Sequence, residues 1–582
     1  MASPENDTSR HPNWAAIVAL LLPVACLLPF VNKAFHIDDT VYLWVAQQIH
    51  QDPVNFFGFT VNWGDRDEWL YEFNKNPPGI SYLLAAAALL IGWNEIGLHL
   101  FFLIPPALAS LGIYFLAREM CARPLLATAV AVLSPVFIVS STNLMCEPTM
   151  LAFYVWSVLL WKRGLESRNP WLFIAAGALM GFGGLVKYLV VSVIPLMFAY
   201  TLLHQRRPTR TLLYFLVPTA ILLAYDMVTL FLYDTSLLFS AVDFAMDFAT
   251  SKQGGAPVRK ALMNVSFVGG CFVGSFLLTS FLWSWRGVLA ICATFPVIVL
   301  LLVSYGGLSN SYLMYEGSQI RWGYLLQLSL FLTAGFHLLA LVIAEVWVKR
   351  DKESMLLLMW MAGIFLFGAF VNWTINARAL LPMAPAIGIL VARRFDLRHT
   401  TPLNPIRIAV PLMVGAAISI AVAWGDYRVA ETGRVAAREA AAFQNLPGTT
   451  WFRGHWGFQY YMEELGYRPF DMRHFDTDGG VRAMVRDFKM SDIGIRPGDR
   501  AVDPEMDTSF KMGGEEEGVF LVRTLTIPTS RWVTTMNREL GAGFYSFAFG
   551  PLPYYFGEVP PEHYKFYDIG EPVPSPDEDR VE

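Results

Sequence analysis

The chain has 582 residues; 55% are Ala, Val, Ile, Leu, Met, Phe, Trp, Tyr or Cys, and 16% are charged, with a mean hydropathy of +0.42. Soluble domains run near 25% charged, and no soluble core hides so much apolar surface. Intrinsic disorder, collagen and disulfide scaffolds are therefore excluded, and a net charge of −5 gives no footprint for nucleic acid.

In chain order, residues 1–13 read as a cytoplasmic N-terminus that leads, without a small-residue cleavage site, into an uncleaved first spanning helix. A spanning helix needs about 20 apolar residues. Runs that satisfy this fall near 14–34, 95–117, 124–142, 148–161, 171–186, 188–203, 211–231, 264–282, 287–304, 324–347, 355–371, 379–392 and 407–424, thirteen in all. A further run at 79–92 is shorter. The spacing predicts an all-α polytopic body over 14–425.

Basic residues alternate between loops. Arg118 and Arg123, Lys162, Arg163 and Arg168, Arg206, Arg207 and Arg210, Arg286, Lys349 to Lys352, and Arg393 to Arg407 fall in one set. By the positive-inside rule that set is cytoplasmic, and thirteen crossings then place the C-terminal domain outside. The long connections, 35–78, 232–263 and 305–323, fall on the outer side, where long loops are usually functional. Of the 91 charged residues, 43 lie in the 157 residues from Asp426 to Glu582. Residues 426–571 therefore read as a soluble, extracytoplasmic α/β domain, and the acidic, proline-rich 572–582 as a disordered tail. In that domain Gln459 to Leu465 reads as helix, Val519 to Leu525 as strand, and the aromatics around Trp451 and Phe544 as core or sugar-stacking surface. His455 has no evident partner.

The charges of the outer loops carry the chemistry. His36-Ile37-Asp38-Asp39-Thr40 precedes an amphipathic helix with Val41, Trp44, Val45 and Ile49 on one face; an Asp here is either a helix cap or a functional acid. Lys75-Asn76-Pro77-Pro78-Gly79 starts the next apolar run with proline in its first turn. Glu147 sits in the short turn between the third and fourth runs, Lys187 in the turn between the fifth and sixth, and Arg378 just before the twelfth. The two cations either snorkel to lipid phosphates or serve function, the default for charge at this depth. Three acids and three cations on one membrane face suit a reaction on a lipid-linked phosphate. Cations hold the phosphate and stabilise its leaving charge, while a carboxylate takes the acceptor's proton. Asp226 and His337 lie within apolar runs, as members of a relay or as groups satisfied by neighbouring helices.

These residues resemble the GT-C glycosyltransferases, in particular the protein O-mannosyltransferase and aminoarabinose transferase branch (glycosyltransferase 39-like), over roughly 14–425. Asp38-Asp39 with Tyr42 is similar to that family's Asp-Glu motif in the first outer loop. Lys75-Asn76-Pro77-Pro78 resembles its Lys-Pro-Pro segment, and Asn143 to Met150 its second acidic turn, with Glu147 for the usual Asp. Leu185-Val186-Lys187 resembles its lysine turn, and Asn376-Ala377-Arg378-Ala379-Leu380-Leu381-Pro382 its Arg-Tyr-Leu-Leu-Pro stretch.

The resemblance implies a GT-C helical bundle in a bacterial inner membrane that moves a sugar, with inversion, from a polyprenyl-phosphate donor to a lipid, glycan or protein acceptor. Asp38 would be the base, oriented by Asp39 or Glu147. Lys75, Lys187 and Arg378 would bind the donor phosphate, with Tyr42, Asn76 and Asn376 lining the cavity. The family's metal-binding Glu is not matched ahead of Pro77-Pro78, so no cofactor is assigned and a divalent metal stays open. A transporter or lipid flippase is the competing reading, and a non-catalytic scaffold the third.

Overall fold

Apolar periodicity sets the helices, and proline and buried charge set where they break. The computed structural model describes residues 13–63, 66–205, 210–250, 256–306, 308, 311–399, 404–444, 446–471, 493–505 and 518–571. The expectations for residues 1–12 and for the tail from 572 lie outside the described residues.

The protein is a mostly helical, multi-pass membrane protein. Among the described residues, seven helices are long and apolar enough to cross a membrane: Glu95–Met120, Tyr188–Gln205, Arg210–Tyr233, Trp285–Tyr305, Trp322–Lys349, Lys352–Val371 and Pro405–Phe443. Pro124–Val132 and Pro135–Ser141 make an eighth if counted as one span bent by 62°; Pro135 has no N–H to continue the helical ladder.

The other five of the thirteen apolar runs are helical but fall short as spans, each for a local reason. Trp14–Phe30 and Pro170–Val186 are too short. Glu147–Ser167 carries Lys162, Arg163 and Glu166 in its last turns. The 264–282 run is divided among Pro257–Cys271, Val273–Phe276 and Thr279–Leu282. The 379–392 run opens as a tight turn, Arg378–Met383, before the helix Ala384–Arg398.

Contacts divide the chain into two units. The helical unit comprises 1–32, 75–426 and 533–557; the second comprises 33–74, 427–532 and 558–582. Neither is continuous in sequence. Residues 533–557 cluster with the helices, not with the sheet on either side of them, because they are fastened there by hydrogen bonds. Ser266 Oγ donates to Pro551 O at 2.8 Å, Tyr554 OH to Gly270 O at 2.9 Å, and Gln327 Nε2 to Phe556 O at 2.6 Å.

The second unit is built on a five-stranded mixed sheet in the order Arg468–Pro469, Thr450–Phe452, Arg500–Pro504, Glu562–Ile569, Val519–Ile527. Thr450–Phe452 runs parallel to both its neighbours, and Glu562–Ile569 antiparallel to both of its own. Side chains alternate between faces. Phe452, Val502 and Phe566 pack with Phe458 and Met462 of the helix Trp456–Glu464; Trp451, Ala501 and Ile569 pack with Phe470 and Ile495 on the other face. Core packing thus accounts for the Trp451 aromatics.

Asp226 is satisfied inside the helical unit, whereas both ring nitrogens of the buried His337 lack a hydrogen-bond partner. Asp226 Oδ1 accepts from Ser236 Oγ at 2.6 Å and Leu238 N at 3.1 Å, which fastens the start of the amphipathic helix Leu237–Thr250. The His337 ring packs edge-on to Phe276 at 5.7 Å and beside Trp283 at 6.2 Å.

Candidate active site

In the helical unit, three turns far apart in sequence converge on one carboxylate. Pro148 occupies the first turn of the helix Glu147–Ser167, where its missing N–H costs nothing. Glu147 ahead of it lies at the positive end of the helix dipole. Its side chain is completely buried, and Lys187 Nζ donates to its Oε1 at 2.5 Å. An Arg378 terminal nitrogen lies 3.8 Å from the same oxygen, while Oε2 has no hydrogen-bond partner. Burial pushes the Glu147 carboxyl up, but Lys187 and Arg378 outweigh it and hold the group below the ordinary carboxylate range. One buried anion thus faces two cations. Both cations turn toward Glu147, so lipid snorkelling does not describe them.

Lys187 ends the helix Pro170–Val186 in extended conformation (φ −156°, ψ 128°), at the negative end of that helix's dipole. The 75–79 segment is seated against this turn: a Cβ on Gly79 would lie 2.4 Å from Leu185 O, so only glycine lets the two backbones approach. Lys75 Nζ donates to Ser240 Oγ at 3.0 Å, and Asn76 is half-buried.

Arg378 is 7% exposed and opens the tight turn Arg378–Met383. Asn376 braces that turn: its Oδ1 accepts from Ala379 N at 2.8 Å. The returning 533–557 segment clasps the same stretch, with Ala377 N donating to Phe544 O at 2.9 Å and Phe547 N to Ile375 O at 2.8 Å. The Arg378 guanidinium lies over the Tyr545 ring, 5.2 Å from its centroid, and donates to Met145 Sδ at 2.9 Å.

Tyr545 is itself fixed. Its OH donates to Asp426 Oδ2 at 2.7 Å and accepts from Asn143 Nδ2 at 3.1 Å; Thr535 Oγ1 donates to the other Asp426 oxygen at 2.6 Å. Burial, reinforced by Asp426, pushes the Tyr545 phenol well above its ordinary range, so it stays a donor. The roles of Tyr545, Asp426 and Asn143 escape sequence reasoning, because no spacing rule links Arg378 to an aromatic cluster within the C-terminal stretch read as a soluble domain.

Asp38, Asp39 and Tyr42 belong to the other unit. Asp38 occupies the cap position of the helix Asp39–Gln51, yet its side chain makes no capping hydrogen bond. Asp39 is the acid spent on structure. It is completely buried, its Oδ2 accepts from His36 N at 3.0 Å, and its own N–H returns to His36 O at 3.1 Å. Between them Ile37 has φ +49°, a left-handed conformation costly for a β-branched residue and of a kind that collects at functional sites. Tyr42 is buried, and its N–H donates to Asp38 O at 3.3 Å.

Among the described residues, no group of three or more His, Cys, Asp or Glu side chains could hold a metal ion.

Residues 75–231 match the family model described as dolichyl-phosphate-mannose-protein mannosyltransferase. The matched segment contains Glu147 and Lys187. No curated protein matches the chain by sequence. Among solved structures, the apo oligosaccharyltransferase of Archaeoglobus fulgidus is similar at 15% identity and TM-score 0.47, covering 79% of this chain. The chain spans 64% of that protein's length. ArnT from Cupriavidus metallidurans is similar at 15% identity over 84% of this chain and 92% of its own, with TM-scores of 0.42 bound to undecaprenyl phosphate and 0.40 in the apo state.

Proposed function

We propose that the protein transfers a sugar from a polyprenyl-phosphate carrier to a lipid, glycan or protein acceptor on the outer face of the membrane, with inversion at the anomeric carbon. The observation that carries this reading is the Glu147–Lys187–Arg378 cluster. It holds two cations together at one fully buried carboxylate, so a phosphate brought there meets a lysine and an arginine side by side. Such charge stabilises the leaving group when the anomeric C–O bond breaks. Arg378 offers a planar fork for phosphate oxygens, Lys187 a mobile point charge, and Lys75 a third cation if it leaves Ser240.

Asp38 is the proposed base. As the acceptor hydroxyl or amine attacks the anomeric carbon from the face opposite the phosphate, Asp38 takes its proton and the carrier phosphate departs with the bonding pair. The half-exposed carboxylate not engaged in capping supports this choice over Asp39, whose oxygen is committed to His36. Tyr42, Asn76 and Asn376 are assigned to the substrate surround. The basic residues from Arg393 to Arg407, followed by the single span Pro405–Phe443, support an outward-facing 426–571 domain, and the family resemblance a bacterial inner membrane.

The test is a reconstitution. Purified protein in liposomes is given undecaprenyl-phosphate sugars of several kinds, together with membrane extract as acceptor, and products are read by mass spectrometry. Release of undecaprenyl phosphate, with a sugar-bearing product of inverted configuration, is expected. Movement of intact donor across the bilayer with no product would replace this reading with a flippase.

A further inference from the structure

Loop 33–74 and the sheet domain are parts of one compact unit, and one helix of that domain grips the chain just ahead of Asp38. Phe35 N donates to Tyr461 OH at 2.9 Å. The Phe35 ring stacks on Tyr461 at 6.2 Å with 9° between planes and meets Tyr460 edge-on at 5.2 Å. Gly457 lies so close to this strand that a Cβ would stand 2.0 Å from Phe35 O, a backbone atom that cannot swing aside. Trp456, at φ +60°, is the second non-glycine residue of this unit in left-handed conformation, and the helix Trp456–Glu464 starts at it. The two strained positions, Ile37 and Trp456, therefore flank one contact.

The far end of the loop is tied down as well. Gln459 Nε2 donates to Asn62 O at 2.7 Å, and Asn62 Nδ2 to Phe470 O at 2.8 Å. His455 packs beside Trp63 at 6.2 Å. Backbone strain at a residue persists only where surroundings over-determine it. For Ile37 the surroundings are the buried Phe35, the His36–Asp39 pair of hydrogen bonds and the Tyr461 clamp.

We infer that the helix Trp456–Glu464 is the positioning element for the acid loop, with Gly457 and Tyr461 as positioning residues that set where Asp38 stands. The sheet domain then acts on the reaction through backbone placement, without touching substrate through these residues. This rests on Asp38 as the base.

The experiment uses the full-length protein in detergent and reads three quantities: kcat and donor KM, the melting temperature, and hydrogen exchange of the amides from Phe35 to Leu43. Gly457→Ala pushes the Phe35 strand away, and misplacement by about 1 Å can cost about 10²-fold in rate. The expected result is kcat down by roughly that factor, donor KM within about twofold, and faster exchange over 35–43. Tyr461→Phe removes the acceptor for Phe35 N and is expected to show the same signature at smaller size. Val502→Ala, in the core of the same sheet, is the control for general destabilisation. If it loses as much kcat as Gly457→Ala at equal loss of melting temperature, the positioning role is overturned; so it is if exchange over 35–43 is unchanged in Gly457→Ala. Faster exchange with full kcat also overturns it when Asp38→Asn is inactive. A fully active Asp38→Asn instead overturns the base assignment and the catalytic half of the inference, while faster exchange in Gly457→Ala keeps the mechanical coupling.

Discussion

The two groups of charges are held in different ways. In the helical unit, Glu147, Lys187 and Arg378 are fixed by one another, and Arg378 further by Tyr545 and Asp426, so position depends on opposite charge and buried hydrogen bonds. In the loop of the second unit, Asp38 is placed by backbone: a left-handed Ile37, the His36–Asp39 closure, and a glycine-sized gap at Gly457. A site that must attract phosphate can use cations kept ready by a counter-ion. A site that must accept a proton needs its carboxylate aimed, and backbone geometry can aim a side chain that does not cap its own helix.

The sharpest way to break this contrast is Asp38→Asn against Asp39→Ala. Loss of a positioned general base typically costs about 10²–10⁴-fold, so Asp38→Asn should lower kcat by that order with little change in melting temperature. Asp39→Ala strands the buried His36 N–H, at about 1–3 kcal/mol, and should show first as lower stability. Full activity in Asp38→Asn would move the base to another acid and dissolve the comparison.

Next in size is Lys187→Ala. Removing one partner of a buried pair typically costs about 3–5 kcal/mol, because the other charge is left buried, so both donor use and thermal stability should fall. Lys187→Ala with Glu147→Gln removes the stranded carboxylate; stability should largely return while donor use does not. Recovery of donor turnover in the double variant would make the pair structural. Because the partner cations hold Glu147 below its ordinary range, its contribution to stability is present at neutral pH. It is lost as acid carries the solution down through the lowered value, and Glu147→Gln should remove that acid-side loss.

Tyr545→Leu tests whether Arg378 is oriented by the clasping segment. A desolvated cation–π contact is worth about 2 kcal/mol, so donor KM should rise by about tenfold or more with a smaller change in kcat. Tyr545→Phe keeps the ring but severs Asp426 and should lower the melting temperature more than it raises KM. Equal KM in wild type and Tyr545→Leu would leave Tyr545 as packing.

The smallest effect expected is at Glu463, on the helix that grips the acid loop. Burial pushes its carboxyl up to about 7 from about 4.5, with Asp67 of the loop adding to the rise against a hydrogen bond from Gln459. The folded state therefore binds this proton more tightly than the unfolded one. The stabilisation is complete below about 4.5 and fades as pH rises through about 7. Glu463→Gln should flatten the melting temperature between those values and raise it slightly at pH 8; an unchanged pH dependence would remove Glu463 from any coupling to the loop.

Much of this was legible because charge in an apolar chain stands out. Glu147, Lys187 and Arg378 are visible as ionisable residues at turns between apolar runs, and helix positions follow from run lengths and prolines. The apolar runs overcount spans, since the 379–392 run is apolar in itself yet leads into a buried helix, Ala384–Arg398, that carries Arg393, Arg394, Asp396 and Arg398. The Tyr545–Asp426 bond joins residues 119 apart and the Asn143–Tyr545 bond residues 402 apart; no local period encodes such pairs. The distinction between Asp38 and Asp39 was equally hidden, because both are plausible caps and only the φ of Ile37 decides which carboxylate turns inward to His36.

The strand order of the sheet sets a schedule for biogenesis. Glu562–Ile569, the last described strand, pairs on one side with Arg500–Pro504 and on the other with Val519–Ile527. The acid loop leaves the ribosome roughly 500 residues earlier, which at about 5–20 residues per second is a delay on the order of tens of seconds. Until the final strand is translated and closes the sheet, the newborn loop has no finished platform to fold against. A chain interrupted before residue 562 would thus carry every charged turn of the helical unit and still be born inactive.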